Sequence, residues 1–376
     1  MNILILNWRD PKHPNAGGAE KVTLEHAKGW ISKGHSVTWF SSYFNKAKRE
    51  EFIDQVQIIR KGSCVGGVHL SAFFWYIFGN HQNYDLVVDQ FHGIPFFTPL
   101  YVKVKKLAFI HEVARDVWWL NEWKWPFNKI VGFLGYYLEP FIFKFFYRNI
   151  AFMTVSESTR KDLINCGIPS KNITVINNGL NLDEIPKKLP PKEKRKTAIF
   201  LGAISYDKGI FDALEAFGEI NIRDANWQFW IVGRASPEMK DNLKKRIKVL
   251  NIGKNTTYFG YVNDHKKFDL LSRAHVMVNP SVREGWGLVN IEAAAAGTPV
   301  VAYSVSGCSD SIVNGKSGVL VDIKDRKNLW KYIMSLVSDK NYEKMVKFCL
   351  LFSRRYSWED AKKKSLSLIE KIYAQK

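Results

Sequence analysis

The stretch from residue 276 to residue 301 constrains the fold of this chain more than any other. Its apolar run Val276-Met277-Val278 is typical of a buried parallel strand, which Asn279-Pro280 ends because proline cannot donate to a sheet ladder. Gly285 and Gly287 then allow a tight turn, and a small-residue helix and a second apolar run follow. A strand, a glycine turn, a helix and a strand in this order predict a parallel α/β sheet.

Two glutamates lie around this glycine turn. Glu284 precedes a helix that is predicted to begin near Leu288, and Glu292 lies about one turn inside it. The first-turn amides of such a helix have no partner within the helix, so a phosphate or a sugar hydroxyl can accept them at the carboxyl edge of the sheet. The alternative interpretation is a capping glutamate together with a surface glutamate.

The paired glutamates, the Gly-Trp-Gly turn, the small-residue helix and the Gly297-Thr298-Pro299 exit resemble the motif of retaining nucleotide-sugar glycosyltransferases of the GT-B fold, specifically family 4. The resemblance implies an α/β fold of two Rossmann-like parallel-sheet domains that face each other across a cleft. It implies that Glu284 bonds the hydroxyls of the donor sugar and that Glu292 bonds the ribose. The sugar and diphosphate would be fixed by the amides of Gly285, Trp286, Gly287 and Leu288.

The resemblance extends to the amino-terminal half. The run from Ile3 to Leu6 predicts a buried strand, and the helix opened by Ala19-Glu20 is preceded by Gly17 and Gly18, which resemble the family's glycine loop. That loop implies close approach of backbone to the donor phosphates, whereas a plain tight turn is the alternative. His111 ends an apolar run and matches the family histidine that faces the donor sugar, although a lone histidine is more often structural.

The second half carries the cations that the resemblance assigns to the donor diphosphate. Lys208 matches the family lysine, but Ala203 occupies the position where relatives usually carry an arginine. Arg234 follows the neighbouring predicted strand 229–233, and the ends of neighbouring parallel strands open on one crevice. Arg234 is therefore the candidate replacement for the missing arginine.

The length of 376 residues suits two domains rather than one. We expect an acceptor-side domain over residues 1–185, a basic, proline-interrupted linker over 186–196 and a nucleotide-sugar-binding domain over 197–355. The resemblance implies that residues 356–376 form a helix that returns to the first domain.

The four cysteines, Cys64, Cys166, Cys308 and Cys349, lack metal-ligand spacing and indicate thiols in a reducing compartment. The amino terminus shows no export signal, so a cytoplasmic protein is expected. No Asp-x-Asp cluster is present, and we expect neither a metal nor a cofactor. The net charge of +19 indicates a polyanion or an anionic surface as partner, and solubility alone is the alternative. No zinc-finger, RNA-binding or recognition-helix pattern favours nucleic acid.

Residues 118–147 contain 13 aromatic residues among 30, interspersed with lysines. Glu139-Pro140 and Lys144 interrupt the segment, whereas a membrane-spanning helix needs about 20 consecutive apolar residues. Aromatic rings mixed with cations suit the headgroup layer of a bilayer. We therefore expect contact with an anionic membrane surface, at the inner face, and a pair of aromatic core helices is the alternative.

The sequence, with the resemblance, predicts a retaining, metal-independent glycosyltransferase of glycan biosynthesis. The donor would be a UDP- or GDP-sugar, and the acceptor a hydroxyl of a lipid or lipid-linked glycan. Its catalytic residues would be His111, Lys208 and Glu284. A GT-B-like phosphorylase, a sugar-nucleotide epimerase and a non-catalytic module that binds membranes or polyanions remain as alternatives.

Overall fold

The computed structural model describes residues 1–63, 66–120 and 124–375, so Cys64 and Trp123 lie outside the described residues. The chain divides into two compact units: the first comprises Met1–Gly179 and Trp358–Lys376, and the second comprises Leu180–Ser357. The stretch 186–196, predicted to be a linker, lies in the second unit. There the Lys192 ammonium donates to the carbonyl oxygens of Ala274 and Gly297 at 2.7 and 2.9 Å.

The first unit is built on an eight-stranded sheet whose order is β3-β4-β2-β1-β5-β6-β7-β8. The neighbouring strands are parallel except for β3 and β4. The predicted strands at Ile3 and before His111 are confirmed as β1 and β6. The strand bounds are β1 Asn2–Leu6, β2 Ser36–Ser41, β3 Glu50–Ile53, β4 Val56–Arg60, β5 Leu86–Phe91, β6 Lys105–Ile110, β7 Ala151–Thr154 and β8 Ile173–Val175.

The helices of this unit's first segment are α1 Gly18–Ile31, α2 Gly67–Phe78, α3 Phe127–Ile142 and α4 Glu157–Asn165. The chain continues from α3 as a π-helical turn over Phe143–Tyr147. Buried Glu139 joins α3 to the preceding turn, because its carboxylate accepts the backbone amides of Ala114 and Arg115 at 2.9 and 2.8 Å. Across the described residues, no helix combines the length and the apolarity that crossing a bilayer requires.

The second unit contains a six-stranded, wholly parallel sheet in the order β11-β10-β9-β12-β13-β14. Its strands are β9 Lys196–Leu201, β10 Trp227–Val232, β11 Thr256–Gly260, β12 Val276–Asn279, β13 Val300–Tyr303 and β14 Gly318–Val321. Its helices are α5 Ile210–Arg223, α6 Pro237–Val249, α7 Asp264–Arg273, α8 Leu288–Ala295, α9 Cys308–Ser311, α10 Leu329–Ser338 and α11 Tyr342–Ser353. The predicted strand, glycine turn, helix and strand are confirmed as β12, α8 and β13.

The chain reverses its direction of travel across each sheet once. In the second unit it runs outward through β9, β10 and β11, then returns to the other side of β9 as β12. In the first unit the same reversal separates β1 from β5. Loops at the carboxyl ends of the strands diverge at such a point and leave a crevice, which is where open α/β sheets bind ligands.

The last helix, α12 Trp358–Ala374, belongs to the first unit and packs on α1. A Cβ atom at Gly29 would lie 2.7 Å from the side chain of Lys362, so the glycine permits close packing of the two helices. Trp30 donates its indole N–H to Ser365 Oγ at 3.1 Å, and His26 Nδ1 lies 2.9 Å from the same oxygen. These buried polar contacts fix the position of α12 along α1.

Candidate functional site

The residues selected from the sequence fall into two groups, one on each unit. In the second unit Lys208 precedes α5 and Glu284 precedes α8, and the Lys208 ammonium lies 3.0 Å from the Glu284 carboxylate. The two loops leave β9 and β12, the strands that border the reversal point of the sheet. Both side chains are partly exposed, at 28% and 15%, so the pair is accessible to a ligand.

The Lys208 loop is held against the Glu284 loop by backbone contacts. Val282 donates its amide to the carbonyl of Asp207 at 2.9 Å. Gly209 adopts a φ of +71°, and a Cβ atom there would lie 1.9 Å from the carbonyl oxygen of Pro280. Only glycine permits this approach, which brings Lys208 to Glu284 although they are 76 residues apart.

The amino terminus of α8 begins after Gly287, whose φ of +71° favours glycine. Asn290, in the first turn of α8, donates to Ser311 Oγ at 2.9 Å and accepts from Asn279 at 2.8 Å, which fixes the helix to β12 and α9. The ring of Trp286 is buried and packs edge-on against Tyr356 at 5.2 Å between ring centroids. Trp286 therefore offers its backbone, rather than its ring, to the site.

Glu292 forms a buried ion pair that the sequence analysis missed. Lys267, on α7, lies 2.7 Å from the Glu292 carboxylate and 2.7 Å from Asp264. Burial alone would lower the pKa of Lys267, but the Glu292 and Asp264 carboxylates raise it above its ordinary value. Lys267 occurs in an ordinary amphipathic helix pattern, so only the folded sheet reveals its partner.

Arg234 follows β10 and lies beside the loop in which Ala203 occurs. The amide of Ile204 donates to the carbonyl oxygen of Arg234 at 2.8 Å, which confirms that the two strand ends meet. The Arg234 guanidinium lies over the ring of Tyr261, 4.2 Å from its centroid. Its charge is therefore held near the Ala203 loop by a cation–π contact.

In the first unit the glycine loop is organised by Glu20, which was read from the sequence only as the start of a helix. Its carboxylate accepts the Gly17 amide at 2.7 Å and pairs with Arg9 at 2.9 Å and His92 at 3.2 Å. Burial alone would raise the pKa of Glu20, but the hydrogen bond and charge of His92, the charge of Arg9 and the Gly17 amide lower it to about 2. The Gly17 amide is thus engaged within the protein.

His111 lies directly after β6, as predicted, and its ring is held on several sides. Gln90 contacts His111 Nε2 at 3.0 Å, and the ring of Phe109 packs at 4.5 Å between centroids. Thr159 donates to the backbone carbonyl of His111 at 3.1 Å. Burial, together with repulsion from His92, lowers the pKa of His111 to about 3, so the ring is neutral near pH 7.

Within ranges 1–63, 66–120 and 124–375 no group of three or more His, Cys, Asp or Glu side chains has the arrangement of a metal site. Positive charge in the second-unit site comes from its lysine and arginine side chains and from the amino end of the α8 dipole.

The described cysteines, Cys166, Cys308 and Cys349, are all buried, and burial raises the pKa of Cys308 to about 12.

Comparison with protein families identifies both halves of the chain. Residues 181–348 match the family described as glycosyl transferases group 1, and residues 16–184 match the one described as glycosyltransferase family 4. An uncharacterized glycosyltransferase of Methanocaldococcus jannaschii is 29% identical over 239 residues, which cover 59% of this chain and 60% of that protein. The match therefore spans about three fifths of this curated relative.

Two solved structures share the fold over almost their whole lengths. Sucrose-phosphate synthase from Thermosynechococcus elongatus superimposes with a TM-score of 0.81 at 18% identity, covering 99% of both chains. HepE of Anabaena, in complex with UDP and glucose, gives a TM-score of 0.74 at 14% identity and covers 99% of this chain and 100% of its own. At these identities the likeness establishes the fold alone.

Proposed function

Because the chain belongs to the group 1 glycosyltransferases of the GT-B fold, we propose that it moves a sugar from a nucleoside diphosphate donor to a hydroxyl acceptor. The observation that supports this most directly is the Lys208–Glu284 pair, 3.0 Å apart at the reversal point of the second sheet. A cation, a carboxylate and the amino end of α8 meet there, which suits a ligand that carries both phosphates and sugar hydroxyls.

In this proposal Lys208 and the amides of Gly285 to Leu288 bind the donor diphosphate. Breaking the bond between sugar and phosphate leaves negative charge on the diphosphate, and a preorganised cation stabilises that charge most effectively. Glu284 accepts hydrogen bonds from the donor sugar, and Glu292 accepts them from the ribose. Arg234 supplies a second charge. In the first unit, the family resemblance assigns His111 to the donor sugar and the Gly17–Gly18 loop to the donor phosphates.

Retention of configuration and independence from metal are further parts of the proposal. The resemblance of the paired-glutamate motif supports retention. Lys208 and the amino end of α8 support catalysis without a metal, because together they can balance the charge of a leaving diphosphate. UDP is the first nucleotide to test, since HepE, which shares the fold, was solved with UDP.

We also propose that the acceptor is a lipid or a lipid-linked glycan at the inner face of a membrane. Support comes from the apolar stripe of α3, whose side chains recur every three or four residues yet face outward. Phe133, for example, is 54% exposed. The stripe consists of Phe127, Ile130, Phe133, Leu134, Tyr137, Leu138 and Phe141, and Trp125 adjoins it at 79% exposure.

Charge around the stripe favours an anionic bilayer as its occupant. The exposed cations Lys124, Lys129, Lys144 and Arg148 flank the apolar residues along the chain. Aromatic rings beside lysines suit the headgroup layer, and anionic lipids attract the lysines. The protein's net charge of +19 acts in the same direction.

Residues 118–147 do not form a single outward-facing surface. Trp118, which belongs to the segment expected to contact a membrane, instead packs against α3. A Cβ atom on Gly135 would lie 2.1 Å from the Trp118 ring, so this indole packs tightly on α3, and it also donates to Glu139 at 3.3 Å. Phe143 and Tyr147 are fully buried. Core and outward-facing aromatics thus alternate along the segment, and only the latter enter the membrane proposal.

A donor panel tests the function. The purified protein is incubated with UDP-, GDP- and ADP-sugars, with and without a membrane lipid extract, and nucleotide release and labelled product are measured. Acceptor-dependent release supports a transferase. Release or sugar interconversion without acceptor would instead favour an epimerase, and no turnover with any donor would favour a non-catalytic module.

A further inference from the structure

His111 presents two different edges to its surroundings. Its Nε2 atom lies 3.0 Å from Gln90 Nε2, inside the first unit. Its Nδ1 atom makes no hydrogen bond within the part of the chain that the structure describes, and the residue is only partly buried. Which nitrogen carries the proton decides whether the Nδ1 edge donates or accepts a hydrogen bond.

The orientation of the Gln90 amide follows from a backbone group. The amide N–H of Arg9 can only donate, and it lies 3.2 Å from Asn7 Oδ1, so the other end of that side chain is Nδ2. Asn7 Nδ2 donates to Gln90 Oε1 at 3.0 Å. Gln90 therefore directs its own NH₂ group toward His111.

A second donor lies beside the same oxygen of Gln90. Thr23 Oγ1 is 2.9 Å from Gln90 Oε1 and 2.9 Å from the carbonyl oxygen of Ala19, so its proton can go to either acceptor. Asn7, Thr23 and Gln90 are all fully buried. Reversing the Gln90 amide would place its NH₂ group against that of Asn7 inside the protein, which is costly where no water can compensate.

We infer that Gln90 is a positioning residue that holds the His111 proton on Nδ1, so that His111 donates a hydrogen bond to an oxygen of the transferred sugar. An NH₂ group opposite Nε2 requires Nε2 to accept, and a neutral imidazole then carries its proton on Nδ1. The inference rests on the proposed function only for the identity of the ligand at Nδ1. The tautomer itself is a property of the unliganded protein.

The charged groups around the ring act together with this arrangement. His92 lies nearly parallel to His111 at 6.1 Å between centroids, and Arg9 donates toward His92 Nδ1 at 3.1 Å. Burial and the Arg9 charge oppose a second proton on His111, as a proton on His92 or His26 would, whereas the Glu20 carboxylate favours one. The ring therefore stays neutral, and Gln90 selects between its two neutral forms.

Histidine tautomers can be measured directly. The protein is labelled with ¹⁵N at its nine histidines, and ring nitrogens are correlated with ring carbon-bound protons by NMR at pH 7. The His111 signals are assigned by their loss in His111→Asn. We expect a protonated Nδ1 and an unprotonated Nε2 in the wild-type protein; the opposite tautomer overturns the inference.

Two substitutions change the group opposite Nε2. In Gln90→Glu the carboxylate can only accept, so the proton should move to Nε2. In Gln90→Met the side chain opposite Nε2 neither donates nor accepts a hydrogen bond, so signals of both tautomers are expected. Gln57→Glu, on the same sheet in β4, makes the same exchange away from His111 and should leave the Nδ1 proton in place. A tautomer unchanged in both Gln90 variants contradicts the inference.

Turnover connects the tautomer to the reaction. In Gln90→Glu we expect turnover to fall about tenfold or more, the scale of one lost hydrogen bond, with Gln57→Glu near wild type. Circular dichroism verifies that each variant folds. If the buried charge of Gln90→Glu prevents folding, turnover is measured in Gln90→Met instead. A moved proton with full turnover would overturn the role in sugar binding. An inactive wild-type protein with the expected tautomer would count against the proposed function instead.

Discussion

Lys208 and Glu284 form an ion pair at 3.0 Å in which each side chain compensates the other until a donor binds. A diphosphate would recruit the ammonium, and sugar hydroxyls would recruit the carboxylate. The pair is partly exposed, so its contribution to stability is small, about 0–1 kcal/mol. Its importance therefore lies in ligand binding rather than in folding.

We expect Lys208→Met to lower turnover by roughly 10²-fold or more, because it removes a preorganised cation from the leaving diphosphate. Steady-state nucleotide release measures the effect. Lys244→Met, at an exposed position on α6, is the matched control and should leave turnover unchanged. Equal activity of the two variants would remove Lys208 from the site.

Glu292→Ala and Glu284→Ala should differ in kind. The first is expected to weaken nucleotide binding, because ribose contacts persist through the reaction, and the second to lower mainly turnover. Nucleotide titration calorimetry and donor kinetics separate the two. Glu292→Ala also leaves Lys267 with Asp264 alone, so Lys267→Met is needed as a control; small, equal effects of both glutamate variants contradict the assignment.

Arg234→Ala is expected to raise KM for the donor if Arg234 replaces the arginine absent at Ala203. Tyr261→Leu keeps the charge but removes the ring below it, at 4.2 Å in the structure, and should give a smaller increase. Donor saturation curves measure both. An unchanged KM in Arg234→Ala assigns the diphosphate to Lys208 and backbone amides.

Helix α3 carries apolar side chains on two sides, and only one of these sides packs against other described residues of the first unit. The inner side receives Trp118 at Gly135, whereas the outer stripe includes Phe133 and Tyr137 at 54% and 59% exposure. Outward apolar side chains at helical spacing, beside lysines, are typical of interfacial helices. The two sides should therefore respond differently to substitution.

We expect the triple change Trp125→Ser, Phe133→Ser and Tyr137→Ser to reduce binding to anionic liposomes and transfer to a lipid acceptor, while transfer to a short soluble acceptor persists. Liposome sedimentation at low and high salt measures the cationic and aromatic components. The same exchange at Phe52, Ile222 and Val249, which are exposed outside the stripe, is the control. Undiminished sedimentation of the first variant would exclude the stripe as the contact.

The chain as a whole buries histidines that must stay neutral. Burial and the Lys362 charge lower the pKa of His26 from 6.5 to about 4, and burial lowers that of His275 to about 4. Between pH 6.5 and about 4 the unfolded chain binds protons at these histidines that the folded chain does not. The free energy of unfolding therefore falls as the pH falls. The Glu20 carboxylate, with its pKa lowered from 4.5 to about 2, adds to this loss at lower pH.

We accordingly expect the thermal midpoint to fall steadily as the pH decreases from 6.5 to 4. His26→Asn should be less stable at pH 7 but lose less stability across that interval, because one buried neutral imidazole is absent. Circular dichroism melts in a pH series measure this. His265→Asn, at an exposed position, should follow the wild-type pH dependence, and identical slopes for all three proteins would contradict the assignment to His26.

Local sequence patterns determined the strand at 276–279, the helix after Gly287, the strand before His111 and the positions of Lys208 and Glu284 at loop ends. These follow from short-range rules: apolar runs make buried strands, proline ends them and glycine permits the turn. The short strand β8 was not predicted. For residues 118–147 the sequence favoured a membrane-facing surface but left core helices open, since aromatic residues at that density suit both.

What the tertiary structure alone decided is which distant residues meet. Lys267 pairs with Glu292 across 25 residues, Arg9 and His92 meet Glu20 at the first reversal point, and Gln90 reaches His111 from the neighbouring strand. Such pairs depend on strand order and register, which place residues side by side without regard to their separation in sequence. The sequence by itself determined the chemistry available at each loop, and the folded sheets determined its partners, charges and protonation.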